Sequence, residues 1–207
     1  MKRVKAAHPQ RARAAFRGMG ALLMLLGCGG NRAAPPVLVA GAPAAAQPSA
    51  PFLLEALLPL RFDEPGVALP DTTLALAAGT SRIIVLRHAA QDLDVFASVT
   101  VSASSFAGPG PVTIVIRPIA GVYGIELTAD QPIVVPLTLE FRYARHFTPP
   151  PGALERYLTP LLYERALAVA QQISATEAVL LPSSRPALDY LAASIPANGR
   201  YFAAAPQ

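Results

Sequence analysis

Apolar residues at every second position, in short runs divided by turn residues, constrain this chain more than any other feature. Val95, Ala97, Val99 and Val101 alternate with Phe96, Ser98, Thr100 and Ser102. Leu137, Leu139, Phe141 and Tyr143 alternate with Thr138, Glu140, Arg142 and Ala144. Side chains of a strand point to opposite faces in turn, so a period of two predicts strands with one buried and one wet face. Ile83-Ile84-Val85-Leu86 and Val112-Thr113-Ile114-Val115-Ile116 are short β-branched runs that suit interior strands. Turns are expected at Gly79-Thr80-Ser81, Gly108-Pro109-Gly110-Pro111, Ala120-Gly121 and Asp130-Gln131-Pro132. Strands at this spacing, without helical patterns between them, predict an all-β fold: a single antiparallel β-sandwich over residues 52–207.

One stretch breaks the pattern. Leu154, Leu158, Leu161, Arg165, Val169 and Ile173 follow roughly helical spacing, which predicts a short helix within 153–172. Pro160 argues against one continuous helix but fits the first turn of a second, with Thr159 as its N-cap. The alternative is a β-hairpin of 166–173 with 177–182, turning at Ser174-Ala175-Thr176. Further on, residues 188–195 and 200–203 read as two strands joined at Asn198-Gly199, a strong hairpin signal.

The first residues tell a different story. Lys2, Arg3, Lys5, Arg11, Arg13 and Arg17 precede a ten-residue apolar run, Gly18 to Gly27, with no acid among them. A basic n-region, a short apolar core and a small residue form a secretory signal. The run is too short to span a bilayer, which takes about 20 residues. Leu25-Leu26-Gly27-Cys28 resembles the lipobox of bacterial lipoproteins, in which cleavage precedes a cysteine that then carries lipid. That resemblance implies a signal peptide at 1–27, lipidation (a diacylglyceryl thioether and an N-acyl chain such as palmitate) at Cys28, and a cell-envelope membrane anchor. Gly29, standing where an aspartate would favour inner-membrane retention, leans towards the outer membrane. Residues 29–51 hold eight alanines, five prolines and three glycines with one charge. This composition predicts a disordered tether that reaches about 70 Å extended or about 26 Å as a coil.

Removing the signal reverses the charge. The chain counts 17 cations and 13 acids, for a pI near 9.6. Six cations and no acid precede Cys28, so the remainder carries eleven arginines, no lysine and a net charge of −2. The basic pI belongs to the signal, and no nucleic-acid partner is expected, since that needs a basic patch on the folded domain. Cys28 is the single cysteine, so no disulfide can staple the domain, and stability must come from the core.

The order of segments from Val67 to Ala205 resembles the ZU-type, immunoglobulin-like β-sandwich modules of ankyrins and netrin receptors. The likeness rests on the strand from Asp94 to Val101 and on Tyr123-Gly124-Ile125-Glu126-Leu127-Thr128. It continues through Pro136-Leu137-Thr138-Leu139-Glu140-Phe141-Arg142-Tyr143, then Val179-Leu180-Leu181-Pro182-Ser183-Ser184 and Gly199-Arg200-Tyr201-Phe202. It implies a non-enzymatic scaffold or interaction module, and tips 166–182 towards strand.

Chemistry-bearing patterns are sparse. His88, Asp92 and Asp94 could be drawn as a metal cluster, but one histidine and two acids in a loop lack the ligand count and supporting shell of a site. His146 precedes a proline turn. Ser81, Ser104 and Ser105 lack the Gly-x-Ser-x-Gly elbow of a serine nucleophile, and no phosphate-cradling loop is present. No metal, cofactor or catalytic residue is therefore assigned. The expectation is a lipid-anchored binding module with an envelope protein or glycan as partner. An envelope hydrolase or carbohydrate-active module, or a structural subunit of an envelope assembly, is the alternative.

Overall fold

The computed structural model describes residues 50–61, 69–88, 94–143 and 147–207. The signal, Cys28, the tether up to Ser49, Asp92 and His146 lie outside the described residues. In chain order the elements are β1 (Phe52–Leu53), a 3-10 turn (Leu54–Ala56), β2 (Leu57–Pro59), β3 (Thr72–Leu76), β4 (Arg82–Arg87) and β5 (Val95–Val101). Next come β6 (Val112–Pro118), β7 (Gly124–Ala129), β8 (Leu137–Arg142), α1 (Ala153–Tyr157) and α2 (Pro160–Ala166). The last are β9 (Ala168–Gln172), β10 (Glu177–Leu180), β11 (Ser183–Ser184), β12 (Tyr190–Ile195) and β13 (Gly199–Pro206).

Two antiparallel sheets form an all-β sandwich. One, of eight strands, runs β1-β10-β9-β13-β7-β6-β3 with β2 also on β13; the other, of five, runs β11-β12-β8-β5-β4. Alternation explains the core between them. Ile114, Ile116, Ile125, Leu127 and Tyr201 from the first sheet meet Ile84, Val99, Leu139, Phe141 and Leu191 from the second.

The larger sheet also closes partly on itself. Residues 52–53 pair with β10, and after the 3-10 turn residues 57–59 pair with β13. Since β10 reaches β13 through β9, this one segment joins both ends of the three strands into a small ring. A second core lies there: Leu57, Ala170, Ala178 and Ala204 are buried, with Phe52, Leu54, Leu180 and Phe202 packed against them. Alanines at 170, 178 and 204 leave room inside the ring for Leu57 and the larger side chains packed beside it.

Four expectations change. The run at 83–86 is an edge strand, not an interior one: β4 pairs with β5, and Ile83 and Val85 face solvent while Ile84 and Leu86 are buried. Phe96 is buried rather than wet, because a bulge opposite Leu86 and Arg87 gives β5 one extra residue there and turns the ring inward. Residues 190–195 and 199–206 are not a hairpin; β12 lies in one sheet and β13 in the other. Asn198 makes the crossing instead. Its amide donates to the Ala129 carbonyl at 2.8 Å and accepts from the Ala129 N–H at 2.9 Å, standing in for a strand partner beside β7. Gly199 follows with φ 153°, a conformation L side chains avoid. Finally, the helix and hairpin readings of 153–181 hold in succession, two short helices to Ala166 and the β9–β10 hairpin after it.

Candidate functional site

The helical hairpin of α1 and α2 caps one end of the sandwich. Gly152, at φ 85°, turns the chain out of the proline run, and the Ala153 N–H donates to the Pro150 carbonyl. Between the helices, Leu158 sits at φ 64° and ψ −32°, a tight positive-φ turn costly for a bulky side chain, with the Thr159 N–H donating to the Tyr157 carbonyl at 2.7 Å. Thr159 is extended, as the residue before a proline must be. Its hydroxyl accepts from the Leu162 N–H at 3.2 Å, with Pro160 in the first turn of α2. The N-cap read from the sequence is in place.

Tyrosines fix the cap to the sheets. The Tyr163 hydroxyl donates to the Leu58 carbonyl at 3.1 Å, and that of Tyr157 donates to the Pro206 carbonyl. Arg185 holds the end of α2. One guanidinium nitrogen donates to the Tyr143 hydroxyl at 2.9 Å, the other to the Leu167 carbonyl at 3.1 Å and to the Glu164 carbonyl. A cation on the last carbonyls of a helix satisfies acceptors that have no partner within it. Tyr143 in turn donates to the Glu164 carboxylate at 3.2 Å. Burial holds the Tyr143 and Tyr163 hydroxyls well above the ordinary phenol range, with Arg185 pulling Tyr143 back only in part. Their rings belong to a continuous aromatic file from His88 through Phe96, Tyr123, Tyr143 and Phe147 to Tyr163 and Tyr157, each centroid within 6.2 Å of the next.

What faces outward is unexpected. Helical spacing at 154, 158 and 161 ordinarily marks a buried stripe, yet here Ala153 and Tyr163 are the buried residues. Leu154, Leu158, Leu161 and Leu162 are 50%, 78%, 54% and 44% exposed. Leu188, 88% exposed, stands in the loop that follows Arg185 at the same end. Arg156 and Arg165 are exposed on the same helices. Contiguous apolar surface rimmed by charge is the usual mark of a docking face. Sequence spacing placed Leu154, Leu158 and Leu161 on a helix but did not fix which way they face.

Of the other positions weighed for chemistry, His88 and Ser105 are built into the fold. The His88 ring is nearly buried, edge-on to Phe96 at 5.5 Å, and the residue's backbone N–H donates to the Asp94 backbone carbonyl. Ser105 is buried within its own turn, its hydroxyl accepting from the Ser102 N–H at 3.0 Å. Among the described residues no group of three or more His, Cys, Asp or Glu could hold a metal ion, and no helix is long and apolar enough to cross a membrane. A shallow depression of about 260 Å³ on the outer face of the five-stranded sheet is lined by Thr138, Ser183, Ser184 and Ser194 with Pro182 and two alanines.

These features define a capped β-sandwich with an apolar face at one end. No protein-family model, curated protein or solved structure matches the chain.

Proposed function

We propose that the chain is a lipid-anchored cell-envelope lipoprotein displaying a non-enzymatic binding sandwich. The observation that carries this is the N-terminal run: six cations without an acid, ten apolar or small residues, then Leu25-Leu26-Gly27-Cys28. Two acyl chains on a diacylglyceryl cysteine plus an N-acyl chain give durable anchoring where a single chain is marginal. Residues 29–51 then act as a spacer. The solvent-facing leucines of the helical cap supply the binding surface, and the likeness to ZU-type modules supports an interaction role over a catalytic one. Gly29 favours the outer membrane. The net charge of −2 after Cys28 speaks against a nucleic-acid partner. A glycan partner is the second reading, favoured by the hydroxyl-lined depression beside β11 and β12.

The test is fractionation. The parent chain is expected in the membrane fraction, released by detergent and not by salt, while the Cys28→Ser variant moves to the soluble fraction. A Cys28→Ser variant that still sediments with membranes would sink the anchoring claim.

A further inference from the structure

The leucine face and the point where the chain enters the sandwich lie at the same end. Strand β13 finishes at Pro206, and beyond it the Gln207 N–H donates to the Ala56 carbonyl. Residues 52–56 therefore lead in past the end of β13. The Tyr157 hydroxyl of α1 donates to the Pro206 carbonyl, and Tyr163 of α2 reaches Leu58. The cap is thus built around the strand by which the chain arrives. The turn at 77–81 follows β3, whose last residue pairs with Val112 at the start of β6, and this lies at the far end of the same sheet.

Forty-nine residues precede Ala50, and on the proposed reading twenty-two of them, 28–49, run from a lipid in the membrane. That chain draws the cap end towards the bilayer. The face it presents carries Leu154, Leu158, Leu161 and Leu162, with Arg156 and Arg165 beside them and Glu155 the one exposed acid of the two helices. Leucines entering the acyl boundary while arginines reach back to anionic headgroups is the pattern of an interfacial helix. Weak intrinsic affinity suffices, because a short tether to the same bilayer sets an effective concentration of about millimolar.

We infer that the α1–α2 hairpin docks on the surface of the bilayer that carries the anchor, so that the domain rests on the lipid instead of floating at the end of its tether. The inference rests on the lipoprotein reading. Its test separates the two. The chain has no tryptophan, so Leu161→Trp, with Leu154→Trp as a second site, places a single indole on the face. Thr80→Trp, in the exposed turn at the far end, is the control. The full chain is recovered from envelopes in detergent and reconstituted into vesicles of phosphatidylethanolamine and phosphatidylglycerol, with and without brominated acyl chains.

Docking is expected to shift the Leu161→Trp and Leu154→Trp emission to the blue and to quench most of it with brominated lipid. Thr80→Trp should stay open to aqueous quencher, and adding Arg156→Glu and Arg165→Glu should reverse the shift. Vesicle-bound protein whose cap indoles are as open to aqueous quencher as Thr80→Trp would overturn docking and leave the anchor standing. Indoles already shielded in detergent, and indifferent to brominated lipid, would assign the face to a second copy and overturn it too. Loss of all protein from the vesicles would overturn the anchor and docking together.

Discussion

Three tyrosine hydroxyls, those of Tyr143, Tyr157 and Tyr163, lie where the sheets and the cap meet, a fourth, that of Tyr201, lies beside Ala197 ahead of β13, and the surroundings of all four favour the protonated form. Burial raises Tyr143, Tyr157 and Tyr163, and it lifts Tyr201, whose hydroxyl donates to the Ala197 carbonyl at 2.6 Å, from 10.0 to about 12. A group whose pKa is raised in the folded state binds its proton more tightly than in the unfolded chain, so stability falls once pH passes the unfolded value. Stability is therefore expected to be whole below pH 10.0 and to decline from there through about 12 as Tyr201 ionises. Melting temperatures read across this range, beside phenolate absorbance, check it; early titration of every tyrosine with no fall in melting temperature would contradict it. Gly124 is a second residue with a clear cost. A Cβ there would stand 2.9 Å from Phe202 Cβ and 3.0 Å from the Tyr201 carbonyl, on the partner strand β13. Backbone cannot give way as a flexible side chain can, so Gly124→Ala is expected to destabilise by about 1–3 kcal/mol. Chemical denaturation measures it, and an unchanged midpoint would refute the tight approach of β7 to β13.

At the scale of elements, strand existence was legible and strand context was not. Period-two alternation located β5 and β8 because a half-buried strand must alternate wherever it lies, while β-branched runs marked β4 and β6 and the stretch before Asn198-Gly199 marked β12. Nothing in Ile83-Ile84-Val85-Leu86 distinguishes an edge from an interior strand, since pairing depends on residues far away in sequence. Phe96 misled for the same reason: its inward turn comes from one extra residue relative to β4. Asn198-Gly199 has the chemistry of a tight turn, but Asn198 spends its amide on Ala129, 69 residues away. The cap was half legible. Thr159 and Pro160 mark the start of α2 by local rules, whereas the side on which Leu154 and Leu161 emerge was fixed by Tyr163 and Ala153 reaching the core. Leu158 joins these levels, because its positive-φ backbone is strained while its side chain contacts mostly solvent. Leu158→Gly, which has no Cβ to strain at this positive φ, is expected to stabilise the fold by up to about 1 kcal/mol. The same change should weaken the apolar face, a trade between local strain and function. A lower melting temperature for Leu158→Gly would contradict the first half.

At the scale of the whole molecule, the described domain stands without any disulfide, on one core between two sheets and a smaller one inside the ring closed by residues 52–59. That ring fixes the incoming chain on both sides, to β10 and to β13, so a pull on the N-terminal segment is passed directly to the larger sheet. Such a joint suits a domain attached through its N-terminus, and it sets the leucine-bearing cap beside the point of attachment. Everything in this arrangement turns on the fate of Cys28, the only thiol in the chain. Mass spectrometry of the N-terminal peptide from protein recovered in envelopes reads that fate directly. The expected peptide begins at Cys28 and carries the added mass of a diacylglyceryl group and a fatty acyl chain. A peptide that continues into residues 1–27, or an unmodified Cys28, would contradict it.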